Sequence, residues 1–486
     1  MCRFRLSQVN QSEPEHTFTN NLLLWLGVLT ISTLSIAPAA YAQSLDDLSP
    51  ATKTFAIENA TIVQQPGRTI NRGTVVIRDG LILDVGRNVD VPFDAERIPG
   101  DSLTIYAGFI DGLSHAGMPE PPKQEFSTSG PNKVSRANPP NDIAGIQPDR
   151  SAMDVLDAEE KSIEALRKVG FTAAHVVPQG RMLPGTGAII LLAGDHANDM
   201  LLKQDVSMFA QMTGASRVYP ATPMGVMAKM RQLYKEAARR KQMETLYASN
   251  ESNMPRPNYD AAHYAFFPVI DGDLPIYMNT TSALDIYRAL RLKKTLGYPL
   301  VLTGLYGGFE SIDLLLDADV PLFLSLKTPK KIEKKKEDEE KETDTEPAPY
   351  DPTLHVTDHT NTDNELINLE ARRKIFHDEY LATAATMYDA GLNFGFSTKD
   401  VKPADIHGNI RKMISHGLTT DIALAALTTI PAEILGLSNS MGTVEKGKMA
   451  NLVISKGPIF SESSKIKFVF VDGQKFELEE EEAKKK

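Results

Sequence analysis

One unit recurs along the middle of this 486-residue chain and limits what it can fold into: a helical pattern, a glycine, and at once a short apolar run. Residues 157–169 read as a helix closed by Gly170 and followed by the run 171–177. Ser282 caps 283–296, Gly297 ends it, and 299–303 follows. The stretch 310–317 leads into 320–324, and 379–390 stops at Gly391 before 392–396. Glycine ends a helix readily because it enters the left-handed region without a Cβ clash, and a wholly apolar run suits a strand buried on both faces. Each helical crossover returns the next strand in the same direction, so the pattern predicts an α/β protein with a parallel sheet. Periodicity does not separate an open doubly wound sheet from a closed (β/α)8 barrel of TIM type; the length favours the barrel.

Strand texture flanks this region on both sides. In 54–105 short alternating runs are broken by turn residues, and Asp79-Gly80 between Val75-Val76-Ile77 and Leu81-Ile82-Leu83 is a two-residue hairpin signal. From Gly442 the texture returns, with Asp472-Gly473-Gln474 as a turn. The two ends are expected to pair into one small discontinuous β domain, 43–105 with 437–476, around a barrel spanning 106–436. Two segments have little to bury: the charged insertion 329–350 and the tail 477–486. Both read as disordered and solvated.

With 52 Lys and Arg against 63 Asp and Glu, the formal charge is −11. Positive runs are interleaved with acid, so no basic face is offered to phosphate, and nucleic acid is not an expected partner. The one cysteine, Cys2, leaves the body of the protein without a disulfide, a thiolate metal site or a cysteine nucleophile. Arg3 and Arg5, the apolar stretch 22–36 and Ala40-Tyr41-Ala42 follow the order of a secretory signal peptide over 1–42, predicting a periplasmic or secreted mature chain. That stretch falls short of the ~20 residues a spanning helix needs, and no cysteine follows to carry a lipid, so no stable membrane anchor is expected.

At Ile105-Tyr106-Ala107-Gly108-Phe109-Ile110-Asp111 the sequence resembles the first barrel strand of the amidohydrolase superfamily, above all its imidazolonepropionase-like branch and prolidase-type enzymes. The hairpin 77–86, the segment 168–172, the run 426–436 (ALTTIPAEILG) and the closing 442–453 (GTVEKGKMANLV) carry the same resemblance, in order and at family-like spacing. It implies a (β/α)8 barrel with one or two divalent metals at the mouth, where they polarise a carbonyl and supply hydroxide. The family reads roughly P-G-F-I-D-x-H-x-H here, and the two histidines reach one ion because alternate strand residues share a face.

In this chain Leu113 takes the place of the first histidine and His115 that of the second. By the same resemblance the fifth-strand ligand position falls on Asn279 and the sixth on Thr303. The last-strand aspartate position falls on Lys399, with Asp400 one residue further on. A slip of one turns a side chain to the opposite face unless the strand ends or bulges there. The resemblance thus implies His115 and Asp400 as metal-binding candidates and Asp400 as the proton shuttle. One zinc-like divalent ion is implied if the site works, and none if it is eroded. Asn279, Thr303 and Lys399 become ligand-facing residues, and an ammonium at Lys399 would repel a metal ion while holding an anionic group.

His175, at the end of a strand, either lines the mouth or is a hydrogen-bonded structural histidine. His355 and His359 have i, i+4 spacing in a context that does not look helical, while His196 and His407 sit in polar, solvated surroundings. No G-x-S-x-G elbow is present, and Gly185-Thr186-Gly187 is too short for a dinucleotide fingerprint. Three functions follow. The first is an exported relative of hydrolases of non-peptide C–N bonds in amides or cyclic substrates, its metal site eroded, acting as a weak hydrolase or as a partner subunit beside an intact amidohydrolase paralogue. The second is a working enzyme with one ion on His115 and Asp400, and the third a periplasmic small-molecule binder without turnover.

Overall fold

The computed structural model describes residues 53–121, 126–130, 133–252, 254–329 and 362–478. The expected signal peptide at 1–42, nearly all of the charged insertion, His355, His359 and the tail beyond 478 lie outside the described residues.

Both ends of the chain build one sheet. It comprises β1 (Phe55–Gln65), β2 (Arg68–Arg78), β3 (Leu81–Gly86), β4 (Glu96–Pro99) and β5 (Leu103–Ala107), and the barrel strands β6 to β13 intervene before β14 (Leu452–Lys456), β15 (Lys465–Val471) and β16 (Gln474–Glu477). The order is β16-β15-β14-β5-β1-β2-β3, with β4 beside β1. The two ends meet where β5 and β14 pair antiparallel, from Leu103 opposite Lys456 to Ala107 opposite Leu452. Asp79 and Gly80 both take positive φ, 53° and 74°, the mirror-type turn whose twist matches the flanking strands.

The second sheet is the barrel: β6 (Phe109–Ser114), β7 (Phe171–Val176), β8 (Gly185–Leu191), β9 (Leu201–Gln211), β10 (Ile276–Asn279), β11 (Leu300–Leu305), β12 (Leu322–Ser325) and β13 (Phe394–Ser397), hydrogen-bonded in chain order. The helix-glycine-strand units lie where expected: Ser282 accepts from the Asp285 N–H at one end of helix Ala283–Leu296, and Gly297 at φ 82° ends it. One strand departs from the all-parallel expectation. β8 runs antiparallel to both β7 and β9. The segments 177–184 and 192–200 are too short for a helical crossover, which takes about a dozen residues or more, so the chain returns in the opposite direction.

Between β6 and β13 the ring is closed by groups outside the ladders. The Ile110 N–H donates to Leu427 O at 2.8 Å and the Phe396 N–H to Ala426 O at 2.9 Å. Nearer the strand ends the Lys399 N–H donates to Leu113 O at 3.1 Å, and the Asp111 carboxylate accepts from the Thr398 N–H at 3.0 Å. The run 426–436 thus sits with its first two carbonyls in the seam.

Inside, the barrel is plugged by large side chains. Phe323 is wholly buried, and a Cβ at Gly112 or Gly395 would lie 2.0 or 2.5 Å from its ring, so both glycines make room for it. Its ring stacks on Tyr277 at 6.3 Å, and Tyr277 meets His175 edge-on at 4.6 Å. Phe323→Ala is expected to cost about 3–5 kcal/mol in denaturant unfolding, the range for an emptied aromatic site; a loss below about 1 kcal/mol would show that the ring is not the plug.

Candidate functional site at the barrel mouth

Several barrel strands end in the same way, with apolar residues followed by one polar residue. β10 reads IYMN, β12 LFLS and β13 FGFS, and LVLT opens β11. Side chains two apart share a face, so the interior positions Tyr277, Val301, Phe323 and Gly395 are succeeded by Asn279, Thr303, Ser325 and Ser397. Register sets them in two groups, Asn279 opposite Gln211 and Thr303, and Ser325 opposite Ser397, with a register shift between β11 and β12 separating the two. They crown the C-terminal ends of the strands with amides and hydroxyls.

Three atoms of this crown are buried and unpartnered: Asn279 Oδ1, Thr303 Oγ1 and Ser397 Oγ. Asn279 is 8% exposed, Thr303 0% and Ser397 1%. Buried polar atoms are nearly always hydrogen-bonded, so three orphans at the strand ends call for a polar occupant, water or ligand. Gly304, at φ 68°, makes room for Asn279: a Cβ there would stand 2.2 Å from Asn279 Oδ1. Gln211 is already engaged, Nε2 donating to Gly180 O at 2.7 Å, and Ser325 Oγ accepts from the Lys327 N–H at 3.2 Å.

His115 stands half-buried at the rim. Its Nδ1 bonds Val177 O at 2.8 Å, which requires Nδ1–H and leaves Nε2 as a free acceptor. Burial, with Lys399 adding repulsion, holds the imidazole down to about 4, so it is neutral at physiological pH. Lys399 buries its side chain to 9% exposure and pairs with Asp400 at 3.3 Å, whose own side chain is 39% exposed. β13 ends at Ser397, so the strand's alternation no longer dictates which way Asp400 points.

His175 is within the barrel and has no nitrogen free. Nδ1 contacts Gly112 O at 3.0 Å and Nε2 the Ser207 hydroxyl at 2.8 Å. Gly187 preserves this contact, since a Cβ there would fall 2.5 Å from Nε2. Burial lowers His175 to about 4. His407, expected in solvent, is half-buried, with Nε2 against Val169 O at 2.9 Å and its ring beside those of Phe109 and Phe460, which stack on each other. His196 precedes the short helix Ala197–Met200.

Asp111 is the group that sequence reasoning passed over. It is fully buried, with Oδ1 accepting from the Leu113 and Thr398 N–H groups at 3.2 and 3.0 Å and Oδ2 from the Thr398 hydroxyl. Burial nevertheless dominates and pushes its carboxyl up to about 7.

The Amidohydrolase family model matches residues 350–475. Among curated proteins none matches the sequence. The structure superposes on that of an amidohydrolase from Thermotoga maritima MSB8 with a TM-score of 0.66 and 20% identity, over 87% of this chain and 100% of that one. This is an amidohydrolase fold. A second amidohydrolase (TM-score 0.48, 16% identity, 88% of this chain and 100% of that one) and a prolidase complexed with N-methylphosphonate-L-proline (0.48, 13%, 88% and 100%) align too loosely to add to that. In an amidohydrolase fold, as in other (β/α)8 barrels, the functional face is the one on which the strands end. Here that face carries the crown, His115 and the Lys399–Asp400 pair.

Proposed function

We propose that the chain is an exported member of the amidohydrolase superfamily, close to the imidazolonepropionase-like branch, in which the barrel mouth has become a binding site for a small polar ligand without a catalytic divalent ion. The observation that carries this reading is the crown itself. A catalytic ion needs several imidazole or carboxylate donors to offset its desolvation. The strand ends offer instead Leu113, Asn279, Thr303 and Ser397, with the Lys399 ammonium beyond them. His115 supplies one nitrogen, and Asp400 is engaged with Lys399. Among the described residues no three His, Cys, Asp or Glu side chains form a group that could hold a metal ion. The donor set does not fit such an ion.

It does fit an uncharged or anionic occupant. Hydroxyls at 303 and 397 donate or accept, Asn279 Oδ1 accepts from an N–H, and Lys399 favours a negative group. A relative of C–N bond hydrolases with this mouth acts as a binding or partner subunit beside an intact paralogue. No helix among the described residues is long and apolar enough to cross a membrane. Elemental analysis of protein purified without chelator is expected to find far less than one zinc, manganese or iron per chain. Stoichiometric metal that disappears in His115→Ala would overturn the reading and restore a mononuclear hydrolase.

A further inference from the structure

At the other end of the barrel the charges reverse. Helix Lys161–Lys168 and helix Ile406–Ser415 meet β15 and the loop 457–464 around a cleft of about 420 Å³. Lys168, Arg411, Lys465 and Lys467 line it with one acidic side chain, Glu462, and Lys168 is paired with Glu164 at 2.7 Å. His407 also lines it, and its contacts fix the location: Val169 O lies just before β7, and Phe109 is the first residue of β6. The cleft is therefore at the N-terminal ends of the strands, away from the crown.

Two features go beyond a basic surface. Arg411 is half-buried, yet it makes no hydrogen bond or ion pair among the described residues. In the loop beside it Ser461 Oγ and Ser464 Oγ are buried without a partner, and Ser464 lines the cleft. The loop is held by its own backbone, Ser461 N–H to Pro458 O at 2.9 Å and Ser464 N–H to Ser461 O at 3.2 Å, so these hydroxyls are left over to donate elsewhere. The Arg411 guanidinium fork and the Ser464 hydroxyl, which line one space with Lys465 beside them, are complementary to a group with several acceptor oxygens.

We propose that this cleft is an oxyanion site, independent of the mouth. Two sources offer that chemistry: a free phosphate or carboxylate, and the chain's own Glu479, Glu480, Glu481 and Glu482, which follow Leu478 at the edge of the cleft. Calorimetric titration of inorganic phosphate into the full-length protein at fixed ionic strength tests it. The variants are Arg411→Gln, Ser464→Ala, and one with all four tail glutamates changed to glutamine. The four-glutamine variant is expected to bind one phosphate saturably. Adding Arg411→Gln should weaken that about tenfold, the loss of a charge-assisted contact, and Ser464→Ala by a smaller factor. Equal affinity in the wild-type and four-glutamine chains would mean that the site serves a free anion, whereas weaker wild-type binding would identify the tail carboxylates as its resident ligand. No saturable binding by the four-glutamine variant, or indifference to Arg411→Gln, would overturn the proposal.

Discussion

Asp111→Asn is expected to gain on the wild type as pH rises, by up to about 4 kcal/mol between pH 4 and pH 8. The folded carboxyl is raised from 3.8 to about 7, and raising a pKa by one corresponds to about 1.4 kcal/mol. Below about pH 4 both states carry the proton and the group adds no penalty. Between 4 and 7 the unfolded chain ionises while the folded one holds its proton, so the folded state binds more protons and stability falls with rising pH. Asparagine keeps an oxygen for the Thr398 and Leu113 amides but has nothing to ionise. His115 and His175, both lowered to about 4, push the other way: below about 6.5 the unfolded imidazoles take protons that the folded ones refuse, so stability is lost as pH falls from there. The difference between Asp111→Asn and wild type cancels the histidines and isolates the carboxyl. Urea unfolding of both proteins at unit steps from pH 4 to 8 gives the curve, and a flat difference would show that Asp111 does not titrate on folding. Asp111→Ala should cost about 3 kcal/mol or more throughout, because it leaves two amides in the barrel seam without an acceptor.

How much of this could be read in advance depended on whether the deciding contact was local. Gly170, Gly297 and Gly391 end helices through their own backbone freedom, which is why the helix-strand units were legible. The reversal of β8 was not. Gly185 to Leu191 is apolar in the manner of a parallel strand, and its direction comes from the short connections on either side. Asn279 and Thr303 were reached through the resemblance, but Ser397 could have been found by moving two residues back from Lys399 along the strand, and Ser325 by the shared ending of β12 and β13. Asp111 looked like one letter of a motif because its partner, Thr398, is 287 residues away. His407 looked solvated between Asp405 and Asn409, while the carbonyl that engages it lies 238 residues earlier. For His175 the sequence left two readings open, and the geometry it takes is the one with both nitrogens bonded.

The second large effect tests the proposed absence of a divalent-ion site at the mouth. The double variant Leu113→His/Lys399→Asp is expected to take up about one zinc per chain, held by two imidazoles and a carboxylate on neighbouring strands. Leu113 belongs to the interior cluster that includes Phe209, whose ring His115 meets edge-on at 6.1 Å, and Lys399 N bonds Leu113 O across the seam at 3.1 Å, so both changes act on one small volume. Removing the ammonium matters most. A unit charge about 4 Å from a cation is worth about 4 kcal/mol at an effective dielectric of 20, and the new aspartate turns that repulsion into attraction while releasing Asp400 from its ion pair. The cost is packing, because Leu113 is wholly buried in the interior cluster, so the variant needs a circular-dichroism check that it folds. Lys399→Asp alone should bind more weakly than the pair, and adding His115→Ala should abolish the gain. A folded double variant that emerges from dialysis with no more metal than the wild type would mean that residues 113, 115 and 399 do not face a common centre.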